Sequence, residues 1–167
     1  MCLKNLYIKQ KVFSIGEKFT VFNQKQEPEY FVQGSFFKIP KAFEIEDSNG
    51  HHVATLTKKV FSFLPKFFLE LAGHSEIVIS KSFSFFHAHY DIQGEGIEIQ
   101  GNFWDMDFEV LKNGRKIAEI HKKWFSWGDT YEIQILDESL EKLIISVVIA
   151  IDCVKNSEKN SASSASN

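Results

Sequence analysis

Two lysine pairs, Lys58-Lys59 and Lys122-Lys123, are the residues in this chain best suited to chemistry. Aromatic residues follow both: Phe61-Ser62-Phe63 after the first, Trp124-Phe125-Ser126-Trp127 after the second. Ammonium groups bordered by aromatic rings suit an anionic phospholipid at a membrane surface, where the rings sit at the interface and the cations meet phosphate. Lys66 and Arg115 are candidates to join them. The residues expected to bind anionic lipid are therefore Lys58, Lys59, Lys122, Lys123 and Arg115. The competing reading is a set of solvated strand lysines that keep an aromatic-rich sheet from aggregating. Consecutive strand residues point to opposite faces, so each pair offers one outward charge unless a bulge intervenes.

The remaining polar clusters point away from catalysis. His87-Ala88-His89 puts two imidazoles on one strand face with Asp91, a spacing that metals accept. Nothing else completes a ligand set, so ordinary strand histidines are expected. His51-His52 follows Gly50 in a turn, Asp105 and Asp107 border a turn near Trp104, and Glu95 lies between Gly94 and Gly96 at a loop tip. Asp152 falls near the end of an apolar run, where it is expected to meet water or a strand Lys or Tyr. No Gly-x-Ser-x-Gly elbow, phosphate-binding glycine loop or His-Glu-x-x-His is present. The expectation is a binding or scaffolding module without catalytic residues, metal or cofactor. The alternative is a protein-interaction module using exposed aromatics such as Trp104 and Trp127.

The apolar run that contains Asp152 organises everything before it. From Leu140 to Val154 the apolar residues leave no polar face on a helical wheel, the mark of a helix buried all round. Asp137 is a suitable N-cap, Glu138 and Glu141 suit the first turn, and Lys155 with Asn156 suits the end. Its uninterrupted core, Ile144 to Ile151, is far short of the ~20 residues that a bilayer needs. A buried core helix is expected, and no transmembrane segment.

Upstream, short aromatic-rich strands alternate with turns. They include Leu6–Gln10, Phe19–Phe22, Tyr30–Gln33, Phe36–Ile39, Phe43–Glu46, Val53–Thr57, Phe61–Phe63, Phe67–Leu71, Ile77–Ile79, Phe83–Ile92, Ile97–Gln100, Phe108–Leu111, Lys116–Ile120 and Tyr131–Ile135. Asn49-Gly50 and Asn113-Gly114 are hairpin signals. The halves repeat at an offset of about 65 residues, too long for a solenoid or propeller blade. Gln33-Gly34 recurs as Gln100-Gly101, Phe43-Glu44-Ile45 as Phe108-Glu109-Val110, and Lys58-Lys59 as Lys122-Lys123. Phe67-x-Leu69-x-Leu71 recurs as Tyr131-x-Ile133-x-Ile135. Two such units and one apolar helix fit an all-β closed antiparallel barrel of about twelve strands, too wide to be filled by its own side chains and so filled by the helix.

Composition agrees. A net charge of −3 argues against nucleic-acid binding, and seventeen phenylalanines suit inward-facing sheet surfaces. Cys2 and Cys153 read as free thiols of a reducing compartment. The start of the chain shows no apolar signal region and no glycine after Met1 for myristoylation. A cytoplasmic protein, peripheral to the membrane if lipid is bound, is expected. Residues 1–156 are assigned to the barrel and 157–167 to a disordered polar tail.

Tyr7-Ile8-Lys9-Gln10-Lys11-Val12-Phe13-Ser14, the paired Asn-Gly hairpins, Lys122-Lys123-Trp124-Phe125-Ser126-Trp127 and Val148-Ile149-Ala150-Ile151-Asp152 together resemble the LURP-one-related family. The resemblance covers about residues 5 to 155. It implies the tubby C-terminal-like barrel, twelve antiparallel strands around a central hydrophobic helix, which tubby-like proteins and phospholipid scramblases share. Tubby domains hold phosphoinositide head groups on a basic patch, whose positions have no residue-by-residue match here. Fold alone leaves function open.

Overall fold

The alternating apolar pattern produces twelve strands, and the computed structural model describes residues 4–9, 18–35, 40, 42–59, 66–83, 88–102, 104–125 and 128–164. In chain order the strands are β1 (Lys4–Lys9), β2 (Lys18–Asn23), β3 (Pro28–Gly34), β4 (Ala42–Asp47), β5 (His52–Lys58) and β6 (Lys66–Leu71). Then come β7 (Ile77–Phe83), β8 (Ala88–Gln93), β9 (Ile97–Asn102), β10 (Asp107–Lys112), β11 (Arg115–Phe125) and β12 (Gly128–Ile135). Their hydrogen-bonded order is β8-β7-β6-β5-β4-β3-β2-β1-β12-β11-β10-β9, a nearly closed antiparallel barrel. The expected strands at 36–39 and 61–63 lie outside the described residues, as do Cys2, His87 and Trp127. The run from Phe83 to Ile92, read as one strand, is divided between the end of β7 and β8.

The duplication shows in strand register as well as in sequence pattern. Gly34 pairs with Phe43 and Gln33 with Glu44, while Gly101 pairs with Phe108 and Gln100 with Glu109. A bulge follows Ile45 in the β4–β5 ladder, and another follows its counterpart Val110 in the β10–β11 ladder. Lys58 lies opposite Phe67, and Lys122 opposite Tyr131. At Gly101 (φ +116°) a Cβ would come within 2.8 Å of the Asp107 carbonyl oxygen. The glycine at 101 thus gives a partner backbone room to approach.

A 3-10 turn, Glu138–Leu140, leads into helix α1, Glu141–Ser164. Asp137 caps the turn by accepting from the backbone N–H of Ser139. Glu141 accepts from Lys4 Nζ and from the Tyr30 hydroxyl, each at 2.7 Å, which fastens the helix start to β1 and β3. Every residue from Leu143 to Lys155 is at most 4% exposed, with strand residues packed around the helix in one core. Burial on this scale stabilises by roughly 1.5–3 kcal/mol per Leu, Ile or Val side chain. The helix does not stop at Asn156: residues 157–164, assigned above to a disordered tail, are helical. No Gly or Pro interrupts them, so a helix already nucleated in the barrel propagates outward.

Among the described residues the hydrogen-bonded strand order breaks at one seam. β2 and β3 form a ladder, but their counterparts β8 and β9 end the hydrogen-bonded order on either side of it. Glu95, expected as a loop tip, is a clasp at that point. It accepts from Lys112 Nζ at 2.8 Å and the Ser75 N–H at 2.7 Å, and it faces His74 Nδ1 at 3.3 Å. The bond from Lys112 first, then those from Ser75 and His74, hold its carboxyl down at about 2.

Candidate functional site

Strand direction sorts the candidate residues between two ends of the barrel. α1 starts at the end carrying the β2–β3, β4–β5 and β10–β11 turns and leaves through the other. Lys58, Lys59, Lys122 and Lys123 all lie at the helix-exit end, with Lys18 and Lys66. Arg115 opens β11 at the helix-start end, seven residues from Lys122, or roughly 23 Å at strand rise. Its guanidinium pairs with Asp137, the cap of the 3-10 turn. The expectation that Arg115 joins the lysines is therefore corrected. A long strand between them separates the two groups.

Strand parity then splits each lysine pair. Lys58 and Lys122 share the inward face with Leu56 and Ile120, and both are half-buried. The Lys58 ammonium sits over the Phe67 ring, 5.7 Å from its centroid. Lys59 is exposed, and Lys123 pairs with Glu132 at 2.7 Å on the outer wall, a bond that raises the Lys123 pKa. β5 and β11 lie six places apart in the strand order, on opposite walls. Lys59 and Lys123 are thus two separate outer positions rather than one patch, while Lys58 and Lys122 turn into the same mouth from opposite sides.

The sequence reading missed a third cation at this mouth. Lys155, read there as a helix-end charge, is 4% exposed. Its ammonium lies 5.3 Å from the centre of the Tyr131 ring and 3.4 Å from the Tyr131 hydroxyl. Asp152, one turn earlier, is fully buried, so it meets protein and not bulk water. The i, i+3 spacing of Asp152 and Lys155 on an otherwise apolar helix is the signal that could have found the pair.

The other candidates have structural uses. Asp105 accepts from the Asn102 side chain, and Asp107 meets His121 at 2.8 Å. His51 contacts Asp47, and His52 contacts Glu44 and Thr55, all on exposed surface. Among the described residues no group of three or more His, Cys, Asp or Glu side chains could hold a metal. Cys153 is buried and forms no disulfide among the described residues. A cavity of about 450 Å³ opens at the helix-start end, lined by Tyr30, His52, Val53, Leu71, His74, Glu141 and Leu143 among others. Its Tyr30 hydroxyl is held well above the usual range by burial and by its bond to Glu141. No described helix is long and apolar enough to cross a membrane.

In sequence the chain is similar to the uncharacterized protein YxjI of Bacillus subtilis, 28% identical over 149 residues that span 89% of this chain and 92% of that one. In structure it is similar to the Arabidopsis thaliana protein AT5G01750, with a TM-score of 0.60 over 90% of this chain and 91% of that one. At 11% identity the second likeness shows the fold alone. The pattern of the LURP-one-related family matches residues 4–152, and the chain belongs to that family.

Proposed function

We propose that the protein is a non-catalytic binding module that engages anionic phospholipid head groups with the helix-exit end of its barrel, at a cytoplasmic membrane surface. The observation that carries this reading is the polarity of the barrel. Lys18, Lys58, Lys59, Lys66, Lys122, Lys123 and Lys155 gather at one end, where Asp105, Asp107, Asp129 and Asp152 also lie and Glu132 pairs with Lys123. The other end holds Glu27, Glu29, Asp47, Glu76, Glu95, Asp137, Glu138 and Glu141, which outnumber its Lys4, Lys25, Lys112, Arg115, Lys116 and Lys142. A protein of negative net charge then meets an anionic surface end-on, because screening confines the attraction to charges within about 8–10 Å of it.

Co-sedimentation with vesicles tests this. Binding is expected to phosphatidylcholine vesicles that contain phosphatidylserine, not to phosphatidylcholine alone, and to weaken as salt rises. Equal binding to both, or none, overturns it. A scramblase-like role has less support, because α1 is enclosed by the barrel from Leu143 to Lys155. The protein-interaction reading is favoured by one observation, Phe31, a large apolar residue 41% exposed on the outer face of β3. It predicts salt-insensitive capture of a partner, lost on Phe31→Ser.

A further inference from the structure

The duplication offers an internal control, since two equivalent positions have come to differ. In the first half Lys58 lies opposite Phe67, which has a ring but no hydroxyl. In the second half Lys122 lies opposite Tyr131, and the helix adds Lys155 over the same ring. Residues directly opposite in a ladder have Cβ atoms ~5 Å apart, so Lys122 stands beside the phenol that the Lys155 ammonium already contacts. We infer that the second half holds a phosphate-bearing anion between Lys122, Lys155 and the Tyr131 hydroxyl, and that Lys58 is its unspecialised counterpart.

The chemistry of the three groups supports that ligand class. A doubly charged oxyanion placed between two ammonium groups accepts a charge-assisted hydrogen bond from each. The Tyr131 hydroxyl, on a residue 1% exposed, adds a neutral donor at a fixed place. Asp152 brings one carboxylate to the same helix face, three residues before Lys155. All four side chains have further partners, and the anion joins that network. Half-buried Lys122 stands at the rim and is where a ligand arrives.

The inference rests on the lysine-rich end being the binding end, but not on the anion belonging to a lipid. Its test uses the full chain with two probes: inorganic pyrophosphate by calorimetry, and phosphatidylcholine vesicles containing phosphatidic acid by co-sedimentation. Lys122→Gln is expected to lower pyrophosphate affinity about tenfold, and Tyr131→Phe about threefold, as loss of a charged and a neutral partner. Lys58→Gln is expected to leave it within about twofold. Tyr131→Phe is a safe probe of folding because Phe67 already fills the equivalent wall position. Pyrophosphate binding with no vesicle binding upholds the site and rejects the lipid source. Vesicle binding that responds to Lys59→Gln or Lys123→Gln but not to Lys122→Gln upholds the membrane reading and overturns the site. Equal losses from Lys58→Gln and Lys122→Gln overturn the asymmetry, and absence of binding to either probe overturns both.

Discussion

Glu95 stands where β8 and β9 part without a ladder, and its bonds to Lys112, Ser75 and His74 tie three turns across that seam. Its folded pKa, about 2, lies below the ordinary 4.5. A lowered acid contributes stability that is complete above its unfolded value and lost as pH falls through its folded one. Glu95→Gln is therefore expected to cost about 1 kcal/mol near pH 7, with partial exposure discounting the ionic part. Urea unfolding of both proteins should show the gap closing between pH 4.5 and 2, and a gap that stays constant would reject the clasp. Gly101→Ala should cost about 1–3 kcal/mol, because φ +116° and the Asp107 carbonyl both oppose a side chain. At Gly50 (φ +79°) a Cβ meets nothing within 4 Å, so Gly50→Asn should stay within about 0.5 kcal/mol by the same assay. The roles of Glu95 and Gly101 were not legible in the sequence, whereas the Asn49-Gly50 turn was. A Gly-Glu-Gly tip does not reveal that Lys112 and Ser75 arrive from other turns, since that depends on pairings between distant segments.

At the scale of elements, α1 makes two predictions of opposite sign. Ile149 is fully enclosed, so Ile149→Ala removes buried methyls from a close-packed wall and should cost about 2–5 kcal/mol in chemical denaturation. Ser146 is equally buried, but its hydroxyl has no hydrogen-bond partner among the described residues. Ser146→Ala relieves that unpaired dipole and improves helix propensity, so a gain of up to about 1 kcal/mol is expected. A loss there would mean that the hydroxyl is satisfied in solution. The helix was legible because nothing between Leu143 and Ile151 offers a polar face. The repeat was legible because paired Gln-Gly and Asn-Gly dipeptides recur at offsets of 67 and 64 residues, close to one another. What could not be read was parity. Which lysine of a pair points inward depends on register with a strand reached through intervening loops, and a slip of one residue reverses it. Lys155 was misread for a related reason: helix-end charges are ordinarily solvated, and only the length of the barrel shows that this one is still inside.

For the whole molecule, net charge and charge placement make different claims about a membrane. The chain carries −3, so a uniformly charged sphere of this composition would be repelled by an anionic bilayer. The barrel instead separates its charges along the helix axis, and an attraction screened within about 10 Å registers only the end that faces the lipid. Two reversals of identical formal charge decide between the descriptions. Lys59→Glu, on exposed surface at the helix-exit end, and Lys25→Glu, on the exposed β2–β3 turn at the other end, each make the chain more negative by two. If placement governs, Lys59→Glu weakens co-sedimentation with phosphatidylserine vesicles several-fold at low salt, and Lys25→Glu leaves it nearly unchanged. Raising salt from 50 to 200 mM, as orders of magnitude for weak and strong screening, should shrink the difference. Equal losses from both reversals would show that the protein is sensed as a single charge, and end-on docking would fall with that result.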